Sequence, residues 1–372
     1  MNTMPLSIVT DPKIEKMLSC RPPVLYVEPV SDLNHGRSFS VMRMWTKIAG
    51  ELQYLFLACA VSAIRVLPYR AAVGIGRFLG LLVWMCVGLH RRIARIQIRQ
   101  ALGEGDEKRK TLKMFIHQGE IIIDAIKYAY MDDDEIRDKV VIEGREHLED
   151  ALASGRGILG IAGHTNWEVL AQIPRICGIE VSIMADVIKN PRIQSIIEDM
   201  RSRYGFTLLP PKGGMVARLT DELKRGRIIG IAVDQRGRRE NRLFCDFFGI
   251  PAPTNPVPAL VALRGDALIL PVWGIKRGDT YILGFDPIID SRDFGNDYTQ
   301  IDKLRDAWQS QAVQKLSQAM QSWMCSVVTM CDYQYFWLHT RWLRRSDMKR
   351  ILKTGADFKE YVYEQTRNYL QE

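Results

Sequence analysis

No two cysteines lie at CxxC spacing. The seven cysteines, Cys20, Cys59, Cys86, Cys177, Cys245, Cys325 and Cys331, are scattered and odd in number. Neither a disulfide framework nor a zinc site is therefore expected, and buried thiols in a reducing compartment are the expected state. No GKS or GKT occurs anywhere, which removes support for a nucleotide-binding P-loop. No small-residue cleavage site follows a basic start, so no secretory leader is expected. There is no internal repeat. The N-terminal apolar stretches, Leu52 to Ile64 and Phe78 to Leu89, run 13 and 12 residues without a charge, short of the roughly 20 that a spanning helix needs.

What is present is a core and a basic surplus. The 372 residues are 47% hydrophobic and 25% charged, enough for one large domain or two ordinary ones. The net charge of +8 favours an anionic partner: a phospholipid surface, an acidic carrier protein, a phosphorylated substrate or nucleic acid.

Along the chain, residues 1 to about 40 carry scattered prolines and little periodicity, and read as an irregular extension. The two apolar stretches follow, punctuated by Arg65, Arg70 and Arg77. His90 to Arg99 then forms a basic amphipathic helix. Two apolar helices and a basic one suit residues 41–100 lying in or anchored to an anionic membrane surface. From Lys108 to Tyr130 the pattern is helical, with His117 as an ordinary helix histidine, and Met131 to Glu135 is an acidic helix start. Strand candidates are Val140 to Ile142, Ile179 to Ile183, Thr207 to Leu209, Ile228 to Val233, Ala267 to Trp273 and Tyr281 to Phe285. Helix candidates are Gly144 to Leu152, Pro191 to Tyr204, Met215 to Arg225, Val257 to Leu263 and the long stretch Asp302 to Val328. This alternation predicts an α/β fold with a mostly parallel central sheet flanked by helices over residues 101–345. A basic helical tail, 346–372, closes the chain.

Chemistry concentrates in three stretches. In Gly155 to Glu168 an apolar strand ends at Gly163-His164, and Trp167 to Ile173 reads as a helix. If the turn is helical from His164 on, Glu168 is its i+4 neighbour and can orient the imidazole as a general base. The alternative is a surface His and Glu at a helix start, where acids are favoured anyway. The second strand, Ile231 to Val233, delivers Asp234 and Gln235 at its C-terminal end, where open α/β sheets place ligands. Arg236, Arg238, Arg239 and Arg242 follow as a cationic loop suited to phosphate, or as an exposed turn. Last, Tyr335 to Trp342 is dense in aromatics that pack the long helix or cover an acyl chain. A metal hydrolase using His164, Glu168 and Asp234 is disfavoured, because His117, His147 and His339 lie in segments that read as helix or aromatic packing.

Gly163-His164-Thr165-Asn166-Trp167-Glu168, Asp234-Gln235 with Phe247-Phe248-Gly249 and Pro251-Ala252-Pro253-Thr254, and Trp337-Leu338-His339-Thr340-Arg341-Trp342 together resemble the bacterial lipid A biosynthesis acyltransferases, the lauroyl and myristoyl transferases of the lysophospholipid acyltransferase superfamily. Gly144, Leu148 and Gly157 add to the match, which covers roughly residues 45–345. The resemblance implies an enzyme on the cytoplasmic face of the inner membrane, needing no cofactor and no metal. It moves a fatty acyl chain from an acyl carrier protein or coenzyme A thioester to a hydroxyl of a lipid acceptor, a lipid A precursor above all, with no role for nucleic acid. On that resemblance His164 and Glu168 are the catalytic dyad. Asn166, with Arg203 or Arg236 next, is the candidate donor to the oxyanion, and Asp234, Gln235 and Arg238 complete the substrate-binding set. The family pattern has four residues between the His and the acid, and this chain has three. Either the dyad survives with i+4 geometry, or the chain is a non-catalytic or altered-acceptor lipid-binding relative.

Overall fold

The computed structural model describes residues 35–184, 188, 190–209, 214–238 and 243–371, with side chains from residue 48 on. Most of the expected N-terminal extension, with Arg239 and Arg242, lies outside the described residues. The chain divides into two units, residues 1–53 and 54–372. The described part of the first is the opening of helix α1 (His35–Val66), so helix begins at His35 rather than after residue 40.

In the second unit α1 is followed by α2 (Tyr69–Cys86), α3 (Gly88–Leu102), α4 (Glu107–Tyr130) and α5 (Asp133–Lys139). The acidic start is a cap: Asp132 Oδ1 accepts the Glu135 N–H at 2.8 Å, satisfying one of the orphan donors of the first turn. Then come β1 (Val140–Glu143), α6 (Arg145–Ala153), β2 (Ile158–Ala162), α7 (Trp167–Leu170), α8 (Ile173–Cys177), β3 (Val181–Met184), α9 (Pro191–Ser202), β4 (Phe206–Leu209), α10 (Met215–Lys224) and β5 (Ile228–Ala232). A hairpin, β6 (Phe244–Phe247) and β7 (Ile250–Pro253), precedes α11 (Val257–Arg264), β8 (Leu268–Arg277), β9 (Thr280–Phe285) and β10 (Ile289–Asp290). Helices α12 (Gln311–Cys331), α13 (Arg345–Thr354) and α14 (Phe358–Gln371) end the chain.

The main sheet runs β1-β9-β8-β2-β5-β3-β4, with β10 on β8. Pairs β8–β2, β2–β5, β5–β3 and β3–β4 are parallel, as is β1–β9, while β8–β9 and β8–β10 are antiparallel. The α/β reading with a mostly parallel sheet therefore holds. Side chains alternate across the central strands as the two-residue period requires. Leu159, Ile161 and Ile229 enter the core shared with α11 and α12, and Ile158 and Ile228 enter the one beneath α4 and α6.

Four local expectations change. The long helical stretch from Asp302 is a 3₁₀ turn, Leu304–Gln309, before α12 starts at its Ser310 cap. Hairpin β6–β7 is not among the strand candidates: burial alternates along it, but its glycine and prolines mask the pattern in sequence. The tail packs into the principal core: Met348, Ile351, Phe358, Tyr361 and Val362 are buried in the same cluster as Trp342. Of the cysteines, Cys245 and Cys331 are buried, but Cys59 and Cys86 are exposed on α1 and α2.

The apolar N-terminal helices are longer than their uncharged runs. Ile48–Val66 and Tyr69–Cys86 are 19 and 18 residues, long and apolar enough to cross a membrane by length and composition. One side of α2 is locked to α4 through glycine: a Cβ on Gly76 would stand 2.5 Å from Gly119 O, and one on Gly80 2.3 Å from Phe115 O. The other side, with Ile75, Phe78, Leu79, Leu82 and Val83, is exposed.

Candidate active site

Strands β2 and β5 are adjacent, parallel and in register, with Ala162 opposite Ala232. The register puts residues two steps beyond each end side by side, and those residues are His164 and Asp234. The Val233 N–H still donates to Ala162 O at 2.9 Å, carrying the pairing one step further. Asp234 then grips the turn twice. His164 Nδ1 lies 2.8 Å from its Oδ1, and the His164 backbone N–H donates to its Oδ2 at 2.9 Å. Gly163 between them leaves room for Met324 of α12, whose Sδ would lie 2.3 Å from a Cβ there, so any larger residue must displace that side chain.

The carboxylate on the imidazole is thus Asp234, and the expected helical His164–Glu168 turn does not form. Thr165 bridges to Tyr335 in extended backbone, the Phe336 N–H donates to His164 O, and Asn166 is left-handed at φ 48°. Helix α7 starts only at Trp167, so His164 lies outside it and the i+4 relation is lost. Burial of the His164 ring pulls its pKa down, but the hydrogen bond and charge of Asp234 outweigh this, and the net shift is upward. For Asp234, burial pushes up, and its bonds to the His164 ring and backbone, with the ring's charge, bring the carboxyl below its usual value. An ionised acceptor fixes the proton on Nδ1 and leaves Nε2 with its lone pair, the form a general base needs.

Asn166 is not an oxyanion donor. Its amide nitrogen donates to Gly274 O (2.8 Å) and Gln334 Oε1 (2.7 Å), and its Oδ1 accepts from His117 Nε2 at 2.6 Å. Both amide hydrogens are spent. Asparagine also tolerates the left-handed backbone here better than most residues do. Asn166 therefore holds the turn.

In front of the turn is a cavity of about 460 Å³, within the range of small-molecule sites. Its floor is made by paired small residues, Gly160 opposite Gly230 and Ala162 opposite Ala232. Without larger side chains on that face, the space between sheet and helices stays open. Leu170, Val272 and Phe285 help to line it. The polar lining includes His164, Glu168, Arg201 and Gln235. Burial pushes the Glu168 carboxyl up to about 7, with Arg201 opposing.

The remaining arginines lie elsewhere. Arg203 pairs with Asp199 (3.3 Å) and stacks over Tyr130, and Arg201 faces the cavity instead. Residues two apart on a helix point about 200° away from each other. Arg236 bridges to Thr254 and lies against Trp342, Arg344 and Tyr369, and Arg238 is exposed. Neither lines the cavity.

Behind the turn is a buried ionic cluster absent from the sequence reading. Asp124 accepts from Lys276 Nζ at 2.6 Å, from Tyr69 Oη at 2.9 Å and from the Tyr281 hydroxyl. Glu120 pairs with Arg77 and lies 3.5 Å from His117 Nδ1. His117, Glu120 and Asp124 are spaced by three and four along α4, a polar stripe on one face of an otherwise apolar helix and the available sequence signal. His339, read as aromatic packing, has its ring centroid 4.5 Å from that of His164. Burial, and next the charge of His164, lower its pKa. Tyr335, Trp337 and Trp342 are buried packing residues, as expected.

Residues 39–344 match the bacterial lipid A biosynthesis acyltransferase family. A lipid A biosynthesis acyltransferase of Haemophilus influenzae (strain ATCC 51907 / DSM 11121 / KW20 / Rd) is 23% identical over 170 residues, which are 45% of this chain and 53% of that relative. The matched stretch thus spans about half the length of that curated relative. With the family match covering most of the sequence, from the first apolar helix through the aromatic segment, the chain belongs to the bacterial lipid A biosynthesis acyltransferase family.

Proposed function

We propose that the protein is a membrane-associated acyltransferase that moves a fatty acyl chain from a carrier-protein or coenzyme A thioester to a hydroxyl of a lipid A precursor, at the cytoplasmic face of the inner membrane. The observation that carries this reading is the His164–Asp234 pair opening on an apolar cavity. His164 Nε2 takes the proton of the acceptor hydroxyl as that oxygen attacks the thioester carbonyl carbon. Asp234 holds the ring and stabilises the imidazolium. The developing oxyanion needs a donor, and the Gln235 side-chain amide, at the cavity wall, supplies it. Collapse of the tetrahedral intermediate breaks the C–S bond, and the proton passes from Nε2 to the departing thiolate. The acyl tail lies over the Gly160–Gly230 floor.

The exposed apolar face of α2 and the basic helix α3 support residence at an anionic lipid surface. With α2 fixed to α4 on its other side, a helix lying in the interface fits better than an independent span. The shortened His–Glu spacing is what motivates the alternative of a non-catalytic or altered-acceptor relative. A carboxylate from β5 on His164 supplies the imidazole with a partner whatever that spacing, and this supports the catalytic alternative.

Purified protein incubated with labelled acyl-carrier and coenzyme A thioesters and a lipid A precursor is expected to give acylated lipid, and His164→Ala is expected to give almost none. Equal transfer by the two proteins would remove His164 from the reaction.

A further inference from the structure

The cavity wall holds two groups that a plain hydrocarbon chain does not satisfy. Glu168 and Arg201 both face it, and neither side chain makes a hydrogen bond or ion pair among the described residues. Much of the rest of the wall is apolar. Both groups are half-buried, and although the charge of Arg201 acts on Glu168, a carboxyl and a guanidinium left without hydrogen bonds against methylene groups are unfavourable. The other polar groups near the turn show the contrast. Asn166 and Asp234 are fully hydrogen-bonded within the protein, and the Tyr204 hydroxyl, at the same wall, donates to Ala125 O at 2.8 Å.

We propose that Glu168 and Arg201 form a polar subsite inside the acyl cavity that receives a hydroxyl carried on the acyl chain, making hydroxyacyl thioesters the preferred donors. The inference rests on the acyl-transfer reading. A hydroxyl suits this pair because it donates and accepts at once: its O–H donates to the Glu168 carboxylate while its oxygen accepts from the Arg201 guanidinium. With its pKa near 7, Glu168 is also partly protonated at neutral pH, and that form donates to the hydroxyl oxygen. In this scheme Glu168 selects the donor and does not serve the His164 ring.

The test uses the full-length protein in detergent, with coenzyme A thioesters of one chain length that are unsubstituted, alpha-hydroxylated or beta-hydroxylated. Wild type is expected to prefer one hydroxylated donor by about tenfold or more in kcat/KM, since a site built to bond a hydroxyl discriminates against its absence. Glu168→Leu is expected to raise transfer of the unsubstituted chain and erase the preference, and Arg201→Met to weaken it. Calorimetric binding of the corresponding free fatty acids gives a readout that needs no catalysis. If wild type transfers none of the donors, the acyl-transfer reading fails, and the binding preference still decides the subsite. Equal binding and turnover of plain and hydroxylated chains would overturn the proposal, with water occupying the subsite. So would a Glu168→Leu variant that loses both donors in equal proportion, which would place Glu168 in the chemistry.

Discussion

The two sides of the His164 turn handle charge in opposite ways. Behind it, Asp124, Glu120 and Lys276 are buried and engaged with one another or with Arg77, Tyr69 and Tyr281. In front of it, Glu168 and Arg201 stand half-buried at a cavity wall and make no hydrogen bond or ion pair among the described residues. Buried charges survive in a fold only when paired and hydrogen-bonded. The rear cluster is therefore scaffold, and the front pair marks where a ligand supplies the missing partners. Asn166 stands on the boundary, bonded to His117 behind while its backbone turns the chain toward the cavity.

The comparison breaks most visibly at the catalytic pair. His164→Ala is expected to cut acyl transfer by about 10²–10⁴-fold with little loss of folding, the usual weight of a general base. Initial rates with a labelled donor, alongside a thermal unfolding curve, separate the two effects. Because the base must be neutral, and Asp234 raises the pKa of His164, wild-type kcat/KM should fall as pH drops through that raised value. Asp234→Asn removes the raising charge and should move this acidic limb to lower pH while lowering the plateau. A limb that stays in place would detach Asp234 from the imidazole.

A change in the rear cluster should act on stability first. Lys276→Met strands Asp124 without its charge partner and should cost about 3–5 kcal/mol, as breaking a buried ion pair does. Adding Asp124→Leu should restore a large part, and chemical denaturation of both variants tests it. No recovery would mean that the cluster does more than neutralise itself. Next in size, Gly163→Ala drives a methyl into Met324 and should cost about 1–3 kcal/mol, with activity falling as the turn shifts. Gly160→Val, on the cavity floor, has room for its Cβ, the nearest atom being 3.7 Å away. It should leave the unfolding midpoint nearly unchanged and shorten the acyl chain accepted, read by competition between donors of different length.

Sequence by itself determined the α/β class, the strand ends that carry His164 and Asp234, the apolar helices and the family. These rest on local signals: the period of apolar residues, runs bounded by glycine, and motifs confined to a few neighbours. Tertiary structure decided which carboxylate meets the imidazole. Asp234 is 70 residues from His164 in sequence and reaches it only because β2 and β5 pair in register. Glu168, four positions away, is turned aside by the left-handed Asn166. The choice of Arg201 over Arg203 depended on which face of α9 meets the cavity. The fate of His117, Glu120 and Asp124 depended on what α4 packs against, and a one-dimensional pattern carries a polar stripe without its partners. Pairing, facing and burial are relations between distant segments, and they exist only once the chain has closed on itself.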